Sequence, residues 1–285
     1  MVMTKALTFL ARRFVAGETA EEAIEAIRRL NKQGLKATLD FLGEEVETEE
    51  QAGGATKEIS RLFELIHRAK VDSNVSIKLS QMGLGIDPLM ARRNLEKVLD
   101  AAAAHGNFVR IDMEGSKHTQ KTLDLFYAAF EKRKNVGIVI QSYLRRSLAD
   151  VEEICKRGAG VRLCKGAYKE PREIAFPKKE EVNESYDRLT EILLEKGART
   201  GLATHDDARI EFAQKAARRL GRKLDSFEIQ MLYGLRKKRW AELVRQGHAV
   251  RIYVPYGTHW MPYYFRRLRE RKENVLFVLK NLLWG

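Results

Sequence analysis

The stretch VGIVIQSYLRRSLADVEEICKRGAGVRLCKG, residues 136–166, contains one complete strand–helix–strand unit. Val136 to Gln141 form a short apolar run that ends in a polar group. In SLADVEEICKRG, Leu148, Val151, Ile154 and Cys155 recur three and four apart, which places them on one helical face. Gly158 follows a basic last turn, a helix stop. GVRLCKG then gives a second apolar run ending in a charge, so two short strands are joined by a helix, as in parallel βαβ units.

Working outward, the same rhythm recurs along the chain. Short apolar runs occur at KATLDFLGE, NVSIKLS, FVRIDMEG, VGIVIQSY, GVRLCKG, GLATHD, FEIQMLYG and AVRIYVPYG, beginning at intervals of roughly 22 to 41 residues. The segments between them carry helical periodicity, with helix starts expected at Thr56 and at Asp87 before Pro88, and helix stops at Gly158 and Gly197. Eight alternating units in 285 residues predict an α/β fold of the (βα)8 TIM-barrel type, with an open doubly wound sheet as the alternative. Residues 1–34 are expected to form an N-terminal helical layer. No Gly/Ser/Pro-rich linker interrupts the pattern, so residues 1–285 read as a single domain. YKEPREIAFPKKEEVNES, after the fifth strand, is expected to be a surface excursion.

Composition narrows the function classes. The chain is 44% hydrophobic and 32% charged, with a net charge of +13, so it can bury a core and favours an acidic partner of some kind. Its two cysteines, Cys155 and Cys164, lack the spacing of a zinc site or a disulfide framework. MVMTKALTFLARRFVAG has no long apolar core, and no segment approaches the roughly 20 apolar residues that cross a bilayer. The expected location is cytoplasmic. The six histidines are scattered, which argues against a metal site, and the serine-hydrolase, zinc-protease, P-loop and dinucleotide fingerprints are missing.

Catalytic groups of such a barrel come from the C-terminal ends of the strands. Those ends carry Lys78, Asp112 with Glu114, Gln141 with Tyr143, Arg162 with Lys165, Thr204 with His205 and Asp206, Glu228 with Gln230, and Tyr253. A ring of so many polar groups is expensive to desolvate unless a ligand uses it. Near the C-terminus, YYFRRLRERKEN (263–274) adds Tyr263, Arg266, Arg267 and Glu270, which share neighbouring helical positions. By itself this segment fits a solvated basic face, a polyanion-binding arm or a clamp for a small anion. With the strand ends, the cations and tyrosines suit a small carboxylate, phosphates and a flat ring system.

SIKLS, RIDME, VIQSY, RLCKGAYKE, ATHD, FEIQMLYG and YVPYGTHWMPYYFRRLRERKENV resemble, in order, the strand-end motifs of the flavin-dependent proline dehydrogenases, from about residue 36 to the C-terminus. The resemblance implies a distorted (βα)8 barrel with its last helix over the barrel mouth, and FAD bound non-covalently. It implies that Lys78, Arg266 and Arg267 bind the carboxylate of L-proline, and that Tyr253, Tyr263 and Leu232 cover its ring. Asp112 would orient Lys78 and Tyr253, and Arg162 would donate to the flavin near N5. Met113, Gln141, Lys165, Gly166, Ala167, Thr204, His205 and Gln230 would supply the remaining cofactor contacts, with Glu270 holding the arginine helix beside the cofactor. Gly166 and Ala167 are small, which lets backbone approach a cofactor closely. Glu44 would serve as a gate.

The implied reaction is hydride transfer from C5 of proline to the flavin, giving Δ1-pyrroline-5-carboxylate, with electrons passing on to a membrane quinone. Peripheral contact with the inner face of the cell membrane and with a pyrroline-5-carboxylate dehydrogenase would follow, and no nucleic-acid partner. Three features depart from the family pattern: Asp206 in ATHD, where an asparagine is expected, Cys164 in RLCKG, and a loop between Tyr253 and the arginine pair that is shorter than in the bifunctional members. A Schiff-base lysine enzyme using Lys165 or Lys78, and a basic nucleic-acid binder, are the rival readings.

Overall fold

Residues 13–43 and 45–261 are described by a computed structural model of the chain. All eight expected strands are present: β1 (Lys36–Phe41), β2 (Ser73–Ile77), β3 (Val109–Ile111), β4 (Val136–Gln141), β5 (Gly160–Cys164), β6 (Arg199–Ala203), β7 (Glu228–Leu232) and β8 (Ala249–Tyr256). They pair in chain order, all parallel, and β8 returns to β1 to close the barrel. The doubly wound alternative is thereby excluded, because an open sheet has no such closing pair.

Seven helices connect successive strands: α2 (Glu49–Ala69), α3 (Pro88–Ala104), α4 (Ser116–Lys132), α5 (Ser147–Lys156), α6 (Lys179–Lys196), α7 (Asp207–Arg219) and α8 (Lys237–Arg245). An eighth, α1 (Ala20–Asn31), precedes β1 and packs against both β1 and β8. It covers the seam that a helix after β8 covers in a regular barrel. Its N-terminus is fixed by a capping box in which Thr19 and Glu22 satisfy each other's backbone N–H groups. Of the helical layer expected over residues 1–34, α1 is the helix among the described residues. The helix expected over the barrel mouth lies outside them.

Two local expectations met different outcomes. Asp87 caps α3 as expected, accepting from the backbone of Leu89 at 2.9 Å and Met90 at 3.0 Å. Thr56 does not start α2. That helix begins after Thr48, seven residues before Thr56's own turn, and the Thr56 hydroxyl donates to the Ala52 carbonyl from within it. The glycine pair Gly53–Gly54 reads locally as a break, yet burial of Ala52, Ala55, Ile59, Leu62, Phe63 and Ile66 on one face carries the helix through it.

Period-two alternation divides every strand between two environments. Leu39, Val75, Ile77, Ile111, Ile138, Leu163, Leu202, Ile229 and Val254 are buried in the layer between strands and helices. The alternate positions fill the barrel itself and are mostly polar: Thr38 and Asp40, Ser76 and Lys78, Arg110 and Asp112, Arg162, Glu228 and Gln230, Arg251 and Tyr253. Glycines make the room. A Cβ at Gly137 would lie 2.6 Å from Arg110 Nη1, and one at Gly201 would lie 2.4 Å from Gln230 Nε2.

At the barrel floor, Arg251 pairs with Glu228 through two contacts of 2.8 Å. Fully buried Arg110 donates to the Gly160 carbonyl at 2.8 Å. Burial pushes its guanidinium down to about 9, helped by Arg162. The excursion after β5 is docked onto the turn after β4: Arg145 N–H donates to the Ile174 carbonyl, Phe176 N–H to the Tyr143 carbonyl, and Tyr143, Leu144 and Ala175 form a small apolar cluster. Among the described residues, no helix is long and apolar enough to cross a membrane.

Candidate functional site

Six strands converge on one cluster at the C-terminal end of the barrel. Tyr253 of β8 donates its hydroxyl hydrogen to Asp112 Oδ2 at 2.7 Å, just after β3. Arg162 of β5 reaches across the barrel and donates to Asp112 Oδ1 at 3.0 Å, Ser76 Oγ at 2.8 Å, Thr38 Oγ1 at 3.3 Å and Gln230 Oε1 at 2.5 Å. Its guanidinium carbon also stands 5.3 Å from the centre of the Tyr253 ring, within cation–π range. Lys78, just past β2, donates to both oxygens of Asp40 at 3.0 and 3.2 Å, and lies 3.5 Å from Asp112 Oδ2 and 3.4 Å from the Tyr253 hydroxyl.

Two cations, Lys78 and Arg162, thus face two carboxylates, Asp40 and Asp112, and the formal charges cancel. Their environments drive the carboxyl groups apart. Burial pushes Asp40 up to about 6, against the pull of Lys78 and with added repulsion from Asp112. Burial acts upward on Asp112 too, but Lys78, Arg162 and hydrogen bonds from Tyr253 and Ser76 outweigh it and hold the group below the usual carboxylate range. Burial and the two carboxylates push the Tyr253 phenol well above its ordinary value, so it stays a donor.

A second cluster lies around the ends of β5 and β6. Lys165 donates to Asn183 at 2.6 Å and Asp206 at 2.7 Å. Asp206 also caps α7, accepting from the Ala208 backbone at 3.1 Å, while Thr204 accepts from the Asp206 backbone at 3.1 Å. The unexpected charge at position 206 is therefore matched by a lysine and used by a helix N-terminus. His205 Nε2 accepts from the Leu232 backbone N–H at 3.1 Å, tying β6 to β7.

Between these clusters, Gln141 donates to the Met113 carbonyl at 3.2 Å. Its Oε1 is buried without a hydrogen-bond partner among the described residues. Leu232 is half-buried and Ala167 exposed. Gly166 has φ +107°, and a Cβ there would lie 2.3 Å from the Tyr143 ring, so its small size serves that contact.

Three strand-end residues do other work than expected. Glu228 is the first residue of β7 and belongs to the floor with Arg251, because the strand's C-terminal end is at Leu232. Tyr143 turns into the cluster with Leu144 and Ala175. Glu114 accepts from the backbone and hydroxyl of Ser80, strapping down the turn after β2. Asp40, Ser76 and Thr38 were missed by attention to strand ends. The signal was in ATLD, VSIK and VRID, residues 37–40, 75–78 and 109–112, where polar groups alternate in one phase on three successive strands. Glu44, Tyr263, Arg266, Arg267 and Glu270 lie outside the described residues.

Comparison with known proteins bears on this arrangement. The family model described as proline dehydrogenase matches residues 23–280. The chain is 39% identical over 273 residues to proline dehydrogenase 1 of Bacillus subtilis subsp. natto, covering 96% of this chain and 90% of that protein. It is 37% identical over 281 residues to proline dehydrogenase of Deinococcus radiodurans, covering 97% and 91%. Among solved structures, proline utilization A from Bdellovibrio bacteriovorus, inactivated by N-propargylglycine, aligns with a TM-score of 0.89 at 27% identity. That alignment covers 94% of this chain and 33% of the other, so this chain spans about a third of that larger protein. By sequence and by fold, the chain belongs to the proline dehydrogenase family.

Proposed function

We propose that this chain oxidises L-proline to Δ1-pyrroline-5-carboxylate, the first step of proline degradation to glutamate, with FAD as its cofactor and a quinone as the onward electron acceptor. The observation that carries this reading is the Lys78–Asp112–Tyr253–Arg162 cluster at the mouth of a barrel of this family. Family membership implies a flavin, and the residues present fit one. Buried Gln141 Oε1 lacks a partner among the described residues, Arg162 and Lys165 are donors, and Met113 and Leu232 supply apolar surface.

FAD, when bound, supplies the acceptor for the two electrons lost by proline. Hydride leaves C5 and the amine gives up a proton to solvent, so the product carries a C=N bond and a quinone ends as quinol. The protein's contribution is placement and electrostatics. Lys78, Arg266 and Arg267 hold the substrate carboxylate. Because Lys78 and Arg162 face Asp40 and Asp112, the arginine pair adds the net positive charge that complements Lys78 in attracting an anion. Asp112 orients Tyr253 and Lys78, and Tyr253, Tyr263 and Leu232 wall the ring. Arg162 favours negative charge building on the cofactor, as preorganised donors do. Gln230, one of the four side chains that accept from Arg162, is assigned with Met113, Gln141, Lys165, Gly166, Ala167, Thr204, His205 and Glu270 to the cofactor.

The net charge of +13 suits contact with anionic lipid during quinone reduction at the inner face of the cytoplasmic membrane. A pyrroline-5-carboxylate dehydrogenase is the fitting downstream partner, since 27% identity links this chain to a relative named bifunctional protein PutA in Escherichia coli. Anaerobic addition of L-proline to the FAD-loaded protein tests the central reading. Bleaching of the flavin absorbance, with a quinone analogue restoring it, is the expected result, and an oxidised spectrum unchanged by proline would overturn it.

A further inference from the structure

Asp40 is the least exposed ionisable side chain of the mouth cluster. The residue is fully buried, its side chain is 1% exposed, and both carboxylate oxygens face the Lys78 ammonium at 3.0 and 3.2 Å. A buried ion pair is an expensive way to join two strands, and apolar residues of similar volume commonly serve at least as well. β1 and β2 do not need it. They are already paired from Ala37 beside Ser73 to Asp40 beside Ser76, and Leu39, Val75 and Ile77 pack in the surrounding core.

The asymmetry of the contacts around Lys78 is informative. Its ammonium is closer to Asp40 than to Asp112 or Tyr253, which stand at 3.5 and 3.4 Å. Asp112 is meanwhile engaged by Arg162, Ser76 and Tyr253 at 3.0, 3.0 and 2.7 Å. Among the described residues, the nearest anchor of the lysine head is thus on β1, while the group on β3 is held by other donors.

We propose that Asp40 is a positioning residue for the oxidation of proline: it fixes the Lys78 ammonium at the barrel mouth, and the substrate carboxylate depends on it through that lysine. This rests on the reading of Lys78 as a carboxylate-binding group. Asp40 touches neither substrate nor cofactor in this role. Its carboxylate is the counter-charge that keeps a flexible four-carbon side chain in one place, and preorganisation of that kind is what a binding site requires of the groups behind it.

The test uses FAD-loaded protein in four forms: unaltered, Asp40→Asn, Lys78→Met and the double variant. The probe is tetrahydrofuran-2-carboxylate, which has the shape and carboxylate of proline but an ether oxygen in place of the amine. Its equilibrium binding is read from the flavin absorbance. Proline first bleaches the unaltered protein; failure at that step would count against the proposed function and not against this role.

In Asp40→Asn, flavin content is expected to be retained, the dissociation constant of the probe and the KM for proline to rise about tenfold, and kcat to change far less. In the Lys78→Met background the same substitution is expected to have no further effect, because residues acting through one partner are not additive. The double variant removes both buried charges together. It therefore decides the matter even where Asp40→Asn alone does not fold, by comparison with Lys78→Met. Equal binding by Asp40→Asn and the parent, or a further loss of probe binding when Asp40→Asn is added to Lys78→Met, would overturn the proposal.

Discussion

Tyr253 and Asp112 are 141 residues apart in the chain, and their side chains share a 2.7 Å hydrogen bond across the barrel. The bond joins β8 to the end of β3, although the strands on either side of each are different neighbours. It is directional: the phenol, pushed well up by burial and by Asp112, keeps its proton and donates it, and the carboxylate accepts.

Tyr253→Phe keeps the ring and removes that donor. Hydrogen bonds to a charged group contribute about 1.5 kcal/mol or more, so kcat/KM for proline is expected to fall roughly tenfold or further. Flavin content should stay unchanged, since the ring still fills its place. Steady-state kinetics on the flavin-loaded variant check this, and an unaltered kcat/KM would remove the hydroxyl from the mechanism.

Arg162 donates to partners on β1, β2, β7 and the end of β3. Arg162→Met leaves Asp112 short of a buried counter-charge, a change that costs about 3 to 5 kcal/mol in comparable settings. Urea unfolding of the protein without cofactor is expected to show a loss of that order. Adding Asp112→Asn to Arg162→Met should recover part of it, because the stranded charge is then gone; no recovery would mean that the arginine acts chiefly by packing.

The closed barrel was readable because its strands are short, apolar and evenly punctuated, and because burial of their outer faces leaves one packing solution. The interior was harder. The strand ends point to Lys78, Asp112, Arg162, Gln230 and Tyr253, which do converge, but also to Glu228, which is the first residue of β7 and therefore lies on the floor. Asp40 is passed over because an aspartate in KATLDF reads as a solvated edge until the strand is known to close against β8. Helix α2 is longer than its cap signal suggests: Thr56 is a capable N-cap residue, but burial of one face extends the helix back to Thr48.

Gly166→Ala tests a different element. The backbone there has φ +107°, and the added methyl would meet the Tyr143 ring at 2.3 Å. Strain of about 1 to 3 kcal/mol is expected, with the turn after β5 displaced. Lower thermal stability together with lower FAD occupancy after dialysis would be the signature. Full occupancy at reduced stability would show that this turn does not contact the cofactor.

In the proposed function, Arg266 and Arg267 supply the positive charge that the mouth cluster lacks. Arg267→Met is expected to weaken transition-state binding by about 2 to 5 kcal/mol, the usual cost of removing one partner of a desolvated charge pair. Comparison of kcat/KM for proline in the two proteins checks it, and equal values would end the clamp as an explanation.

Acid stability separates the floor of the barrel from its mouth. Burial raises the Glu228 carboxyl, but hydrogen bonds and charge from Arg251, with a hydrogen bond from Gln230, override it and bring the group down from 4.5 to about 2. A depressed carboxylate contributes stability that is complete above its unfolded value and disappears as pH falls through its folded one. The contribution is about 3 kcal/mol, lost between roughly pH 4.5 and 2. Asp40 has the opposite sign, since its value rises from 3.8 to about 6. Its contribution is complete below the unfolded value and is lost as pH rises through about 6. Urea unfolding from pH 2 to 7 is therefore expected to show a flatter acid limb in Glu228→Gln, and in Asp40→Asn a smaller decline between about pH 4 and 6 than the parent shows. Parallel curves for Glu228→Gln and the parent below pH 4.5 would mean that the Arg251 pair does not govern the acid limb.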